Sequence, residues 1–97
     1  MGYIYILTTK NNKMLYIGVT NNIVRRVYEH KEGFVDGFTK RFNIKKLVYY
    51  EQFPTIQQAI ERETVLKNWK RSWKDRLISN FNPQWRELYD EIAVSQI

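Results

Sequence analysis

The sequence predicts an α+β domain, a small three-stranded antiparallel sheet flanked by helices in the order ββαβαα. Three observations lead there. Two short β-rich runs, residues 3–7 and 14–18, are separated by the polar stretch Thr8-Thr9-Lys10-Asn11-Asn12-Lys13. An amphipathic stretch follows Asn21-Asn22, and a capping-box signature, Thr55 with Gln58, opens a second helical stretch.

Each element has a local reason. Asn11 and Asn12 tolerate the positive φ angles of a tight turn, so the first two runs read as a hairpin. Asn21 or Asn22 offers an N-cap to a helix with Ile23, Val24, Val27 and Tyr28 on one face, which Gly33 and Gly37 interrupt. Residues 46–51 form the third strand. The helix opened by Pro54-Thr55 is expected to reach about Lys70, with a further helix over Ser72–Ser79. Asn82-Pro83 is a turn, and residues 84–92 can add a last helix. No repeat or linker divides the 97 residues, so one domain is expected, with a core over about 1–80 and an extension over 81–97.

Composition narrows the chemistry. The chain is 43% hydrophobic with 15% aromatic residues, a globular composition, and no apolar run suits a membrane span. With no signal-peptide pattern, a cytoplasmic protein with no membrane association is expected. Absence of cysteine and a single histidine exclude thiolate zinc sites and histidine clusters. Any metal must then be a hard cation such as Mg2+ or Mn2+, held by carboxylate, water and substrate oxygens. Residues 1–76 carry 15 basic and 7 acidic side chains, a balance of +8, and residues 77–97 carry Arg86 against three acids, a balance of −2. A basic body of this kind suits a polyanion such as nucleic acid, although small basic proteins are common.

Four features exceed what a plain core requires. If Asn11-Asn12 are the turn residues, Tyr5, Leu7, Tyr16 and Gly18 share one face of the hairpin, with the tyrosines diagonal at about 7–8 Å. Gly18 beside them leaves space for something to approach the sheet. Arg26 and His30 are four apart on a stripe bordering the apolar face; an arginine fork can hold a phosphate and a histidine can donate to one or relay a proton. Arg25, Glu29 and Lys31 read as solvated flank. Glu63 is flanked on both sides, within about 60°, by Ile56, Ala59, Ile60 and Leu66, which puts a carboxylate in an apolar stripe. Two readings stand: a metal ligand, or an i,i+4 ion pair with Lys67. Last, Lys67, Lys70, Arg71 and Lys74 interleave with Trp69 and Trp73; the cations suit phosphates, while the tryptophans suit the core or base stacking.

These residues resemble the GIY-YIG nuclease superfamily. Tyr3-Ile4-Tyr5 and Tyr16-Ile17-Gly18 look like its paired motifs, residues 20–30 resemble its arginine helix, and residues 59–67 its glutamate helix. The resemblance covers nearly the whole chain and is strongest to small single-domain members related to the N-terminal nuclease domain of UvrC-type repair proteins. It implies a three-stranded antiparallel sheet with helices, and phosphodiester hydrolysis leaving a 5′-phosphate and a 3′-hydroxyl. By the same resemblance Tyr16 is the general base, Tyr5 orients the water or the phosphate, and Arg26 holds the phosphate. His30 stands near the leaving group, Glu63 is the single protein ligand of a Mg2+ or Mn2+ ion, and Asn82 borders the site. Tyr3 stands where the motif name implies glycine, and Val19 where some relatives carry a lysine or serine. The expected function is a DNA endonuclease, with a catalytically weak nucleic-acid-binding module as the alternative and a protein-interaction adaptor as a third reading. Relatives that cut specific sequences add a recognition domain, so a separate protein partner could supply specificity here.

Overall fold

A computed structural model describes residues 1–94. Strands β1 (Gly2–Thr8), β2 (Leu15–Thr20) and β3 (Lys46–Phe53) form one antiparallel sheet in the order β2-β1-β3. Helices α1 (Ile23–Lys31), α2 (Phe38–Arg41), α3 (Ile56–Lys67), α4 (Arg71–Phe81) and α5 (Tyr89–Val94) complete the chain. The predicted hairpin register holds, with Tyr5 opposite Gly18 and Leu7 opposite Tyr16. The turn is longer than two residues: the ladder ends at Thr8–Leu15, and only Asn12 takes the left-handed conformation, at φ 62°.

The central strand is buried on both faces. Ile4 and Ile6 meet Ile17, Ala59, Leu66 and Ile78 on the α3–α4 side. Tyr5 and Leu7 meet Ile23, Val27, Leu88 and Ile92 on the α1–α5 side. The result is three layers, which explains why β1 reads as a continuous apolar run rather than an alternating one. One irregularity adjusts the fit. Ile6 pairs with Tyr49 but Leu7 pairs with Leu47, so Val48 is an extra residue on β3. This bulge lets Val48 and Tyr49 both join the α3–α4 core.

The caps behave as read from the sequence. The Asn22 side chain accepts from the Arg25 amide, and Thr55 and Gln58 form a reciprocal capping box. Three elements differ from expectation. α3 stops at Lys67 and α4 begins at Arg71, so Asn68–Lys70 is a joint and not helix. Residues 38–41 form an unforeseen short helix after Gly37, whose φ of 103° excludes most side chains. The last helix covers Tyr89–Val94 instead of 84–92, and Leu88 and Ile92 make this segment part of the core. Residues 95–97 of the expected extension lie outside the described residues.

Asn82 is the hinge of the final turn, not a surface group. It is 3% exposed; its Nδ2 donates to the carbonyls of Val48 (3.2 Å) and Arg86 (2.9 Å), and its Oδ1 accepts from the Arg86 amide (3.2 Å). The expectation that Asn82 contacts nucleic acid is therefore withdrawn, because every polar atom of the amide is engaged inside the protein. Asn82→Ala should lower unfolding stability by about 1–3 kcal/mol, since it orphans a buried carbonyl at the β3 bulge. A urea titration followed by tryptophan fluorescence measures this, and an unchanged midpoint would contradict the assigned role.

Candidate active site

The site grows from the pairing of Tyr5 with Gly18. A Cβ at Gly18 would lie 2.3 Å from both Cζ and Oη of Tyr5, so the phenol ring runs across β2 where the side chain is missing. The space expected beside Gly18 is thus filled by Tyr5 itself. The ring is 1% exposed, and its hydroxyl is hydrogen-bonded to Nε2 of His30 at 3.0 Å. His30 is 2% exposed and its Nδ1 meets the Thr39 hydroxyl at 2.9 Å. Tyr16 closes the group, with ring centroids 6.3 Å from Tyr5 and 5.5 Å from His30. Tyr16 remains half-exposed where Tyr5 is sealed.

Burial sets the protonation states. It pushes the Tyr5 phenol up to about 12, helped by Tyr16 and, more weakly, by Glu63, while Arg26 opposes the rise. Tyr5 is therefore a neutral hydrogen-bonding phenol at physiological pH. Burial also lowers His30 to about 4, with Arg26 adding to the effect and Glu29 opposing it. A neutral imidazole carries one N–H and one acceptor nitrogen. Either Tyr5 donates to Nε2 while Nδ1–H donates to Thr39, or Thr39 donates to Nδ1 while Nε2–H donates to Tyr5. Both arrangements hold the phenol in place. Inside the fold, both ring nitrogens of His30 are occupied, one by Tyr5 and one by Thr39.

Arg26 and Glu63 stand at the border of this group. Arg26 is held above its ordinary pKa, foremost by the Tyr5 phenol, and it pairs with Glu29 at 3.4 Å with 40% of its side chain exposed. Glu29 is therefore a partner of the site arginine and not solvated flank. Lys31 is likewise a tether: it binds the Glu87 carboxylate and the Lys45 carbonyl and lies over the Tyr89 ring. Glu63 sits at the edge of the buried face of α3. Ala59 and Leu66 are buried, but Ile56 and Ile60 on its other side are 41% and 39% exposed. The carboxylate keeps 17% exposure and pairs with Lys67 at 3.4 Å, so the ion pair exists without sealing the group.

The α3–α4 cations are mostly engaged. Arg71 donates to the backbone carbonyls of Lys13 and Asn12 and to Asp75, which locks the hairpin loop onto α4. Lys67 pairs with Glu63, Lys70 lies over the Trp73 ring, and Lys74 is half-buried. Trp69 packs against the core, whereas Trp73 is 46% exposed. Thr39 was missed by sequence reading, since a lone threonine two residues after Gly37 carries no pattern that would mark it.

Tyrosines on paired strands and an arginine on the following helix thus meet at one phenol, and the charge of a glutamate on the helix after β3 is felt there. A family model of the GIY-YIG catalytic domain matches residues 1–76. The chain belongs to the GIY-YIG family. A UPF0213 protein of Clostridium perfringens is 39% identical to this GIY-YIG domain over 80 residues, covering 82% of this chain and 85% of its own. Another from Natronomonas pharaonis is 35% identical over 78 residues, covering 80% and 91%. The solution NMR structure of a UPF0213 protein from Bacillus halodurans aligns with a TM-score of 0.51 at 31% identity, covering 81% of this chain and 84% of that one.

Two outcomes follow from this geometry. His30 has a depressed pKa when folded, so its contribution is intact above pH 6.5 and is lost as the pH falls through that value towards about 4. Urea midpoints should drop across this window, and His30→Gln should flatten that part of the profile; an equal slope in both would remove His30 as the cause. Gly18→Ala should cost about 1–3 kcal/mol by forcing the Tyr5 ring aside. The His30 imidazole nitrogen resonances should shift with it, and unshifted resonances would contradict the contact.

Proposed function

We propose that this GIY-YIG domain is a divalent-metal-dependent endonuclease that hydrolyses DNA phosphodiester bonds. The observation that carries the proposal is the convergence of half-exposed Tyr16, Arg26 and Glu63 around the sealed, neutral Tyr5 phenol. Tyr5 and Tyr16 differ in access to water, and this divides their roles. Tyr16 can meet a water molecule and take its proton, an act for which a phenol needs cations nearby. Arg26, already beside the phenols, holds the scissile phosphate and offsets charge as the phosphorus becomes five-coordinate. Tyr5, fixed by His30 and Thr39, orients the Tyr16 ring and the water.

The residues present fit a hard cation. Among the described residues no three His, Cys, Asp or Glu side chains cluster, so Glu63 stands as a single carboxylate. Its partner Lys67 is 53% exposed and can swing into solvent when a cation takes its place. Such sparse ligation suits Mg2+ or Mn2+, which retain water and accept phosphate oxygens. Held by Glu63, the ion would supply Lewis-acid polarisation of the phosphate. The Glu63–Lys67 pair also favours a second reading, a nucleic-acid-binding module with little catalysis.

Nicking of supercoiled plasmid in Mg2+ or Mn2+ separates the two. Glu63→Ala, Arg26→Ala and Tyr16→Phe should each lose about 100-fold or more of the wild-type rate. Equal rates in all four proteins overturn the catalytic reading. A wild type that binds DNA without nicking it selects the binding module.

A further inference from the structure

The cations that sequence patterning assigns to nucleic acid lie on α3 and α4, and two of the four are paired: Lys67 with Glu63, and Arg71 with Asp75 and the hairpin-loop carbonyls. A second set of lysines lies elsewhere. Lys10 and Lys13 in the hairpin loop and Lys45 and Lys46 at the start of β3 make no ion pair among the described residues. The fold brings these distant segments together. One cleft of about 430 Å3 is lined by Lys10, Lys13 and Asn43, with Phe42 at its side. A second of about 340 Å3 is lined by Lys10, Asn43, Lys45 and Lys46. The shared residues Lys10 and Asn43 make the two clefts one continuous track.

Its charge is almost uncompensated. Glu87 is the sole acid lining either cleft, and its carboxylate is bound to the Lys31 ammonium and the Leu47 and Tyr89 amides. Lys10 and Lys13 are exposed, and Lys45 and Lys46 are half-buried at the strand start. With the Glu87 carboxylate taken by Lys31, four ammonium groups are left uncompensated and repel one another, which a polyanion relieves by releasing its counterions. The lining holds one aromatic ring, Phe42, so it lacks the stacking platforms that single strands use. It is built for phosphates and not for bases.

We propose that this lysine track is the docking surface for the phosphate backbone of a DNA duplex. The inference rests on the nucleic-acid reading above and adds where the duplex lies. It also accounts for Arg71, which pins the Asn12–Lys13 backbone to α4 and so presents Lys10 and Lys13.

The test is fluorescence anisotropy with a labelled 20-base-pair DNA duplex, in EDTA to prevent cutting, across a KCl series. The combined variant Lys10→Gln, Lys13→Gln, Lys45→Gln, Lys46→Gln should lose about 3–4 units from the slope of log K against log[salt]. The control variant Lys70→Gln, Lys74→Gln should keep the wild-type slope, and circular dichroism verifies that both fold. A wild-type slope in the quadruple variant, or a loss confined to the control, overturns the track. Tighter binding of the single strand, unaffected by the quadruple change, overturns it as well. A wild type whose binding ignores salt removes the nucleic-acid reading itself and the track with it.

Discussion

The site depends on one buried phenol. Tyr5 lies on the central strand, its ring crosses Gly18 on the neighbouring strand, and its hydroxyl ends on His30. Because β1 is covered on both faces, Tyr5 cannot turn to solvent without opening the core. The hydroxyl must therefore find its partner inside, and the first helix supplies it. His30 in turn needs a partner for its second nitrogen, which draws Thr39 and the short α2 helix against α1. A single polar atom in the sheet thus organises the segment between α1 and β3.

Electrostatics follow from the same burial. Sealing removes water from Tyr5 and His30, so both stay neutral, and charge is left to groups at the border. Arg26 and Glu63 approach the phenol from different helices, and each holds a nearby opposite charge, Glu29 and Lys67. These pairs are partly exposed and so are weak and exchangeable, the condition under which phosphate or a cation can replace a partner. A neutral, rigid centre with replaceable charges around it is a reasonable basis for phosphate chemistry. The same logic separates binding from tethering elsewhere: Arg71 and Lys31 are tied to backbone or carboxylate, whereas the lysines of the hairpin loop and the start of β3 are not.

Much of the fold was legible locally. The Tyr5–Gly18 and Leu7–Tyr16 register came from a turn centred on Asn11-Asn12, even though the actual loop is wider, because widening it symmetrically leaves every pair unchanged. The Asn22 cap and the Thr55–Gln58 box were readable since each satisfies amides within its own turn. Glu63 was singled out for lying within an apolar stripe, and that reason needed revision. Its apolar neighbours stand on both sides in projection, and only Ala59 and Leu66 face the sheet. Helical periodicity gives directions around an axis; which of them points inward depends on how the helix is docked.

Sequence alone determined the three strands, the longer helices, their caps, the hairpin register and the residues worth watching. Each of these follows from local backbone chemistry, alternation or composition. Tertiary structure decided which of those residues meet water. It sealed His30 and Asn82, left Tyr16 open, bound Arg71 to a hairpin loop 58 residues away in sequence, and gathered Lys10 with Lys45 and Lys46. The physical reason is that burial and charge pairing are properties of the packed layers, and a linear pattern does not carry the distance between segments far apart in the chain.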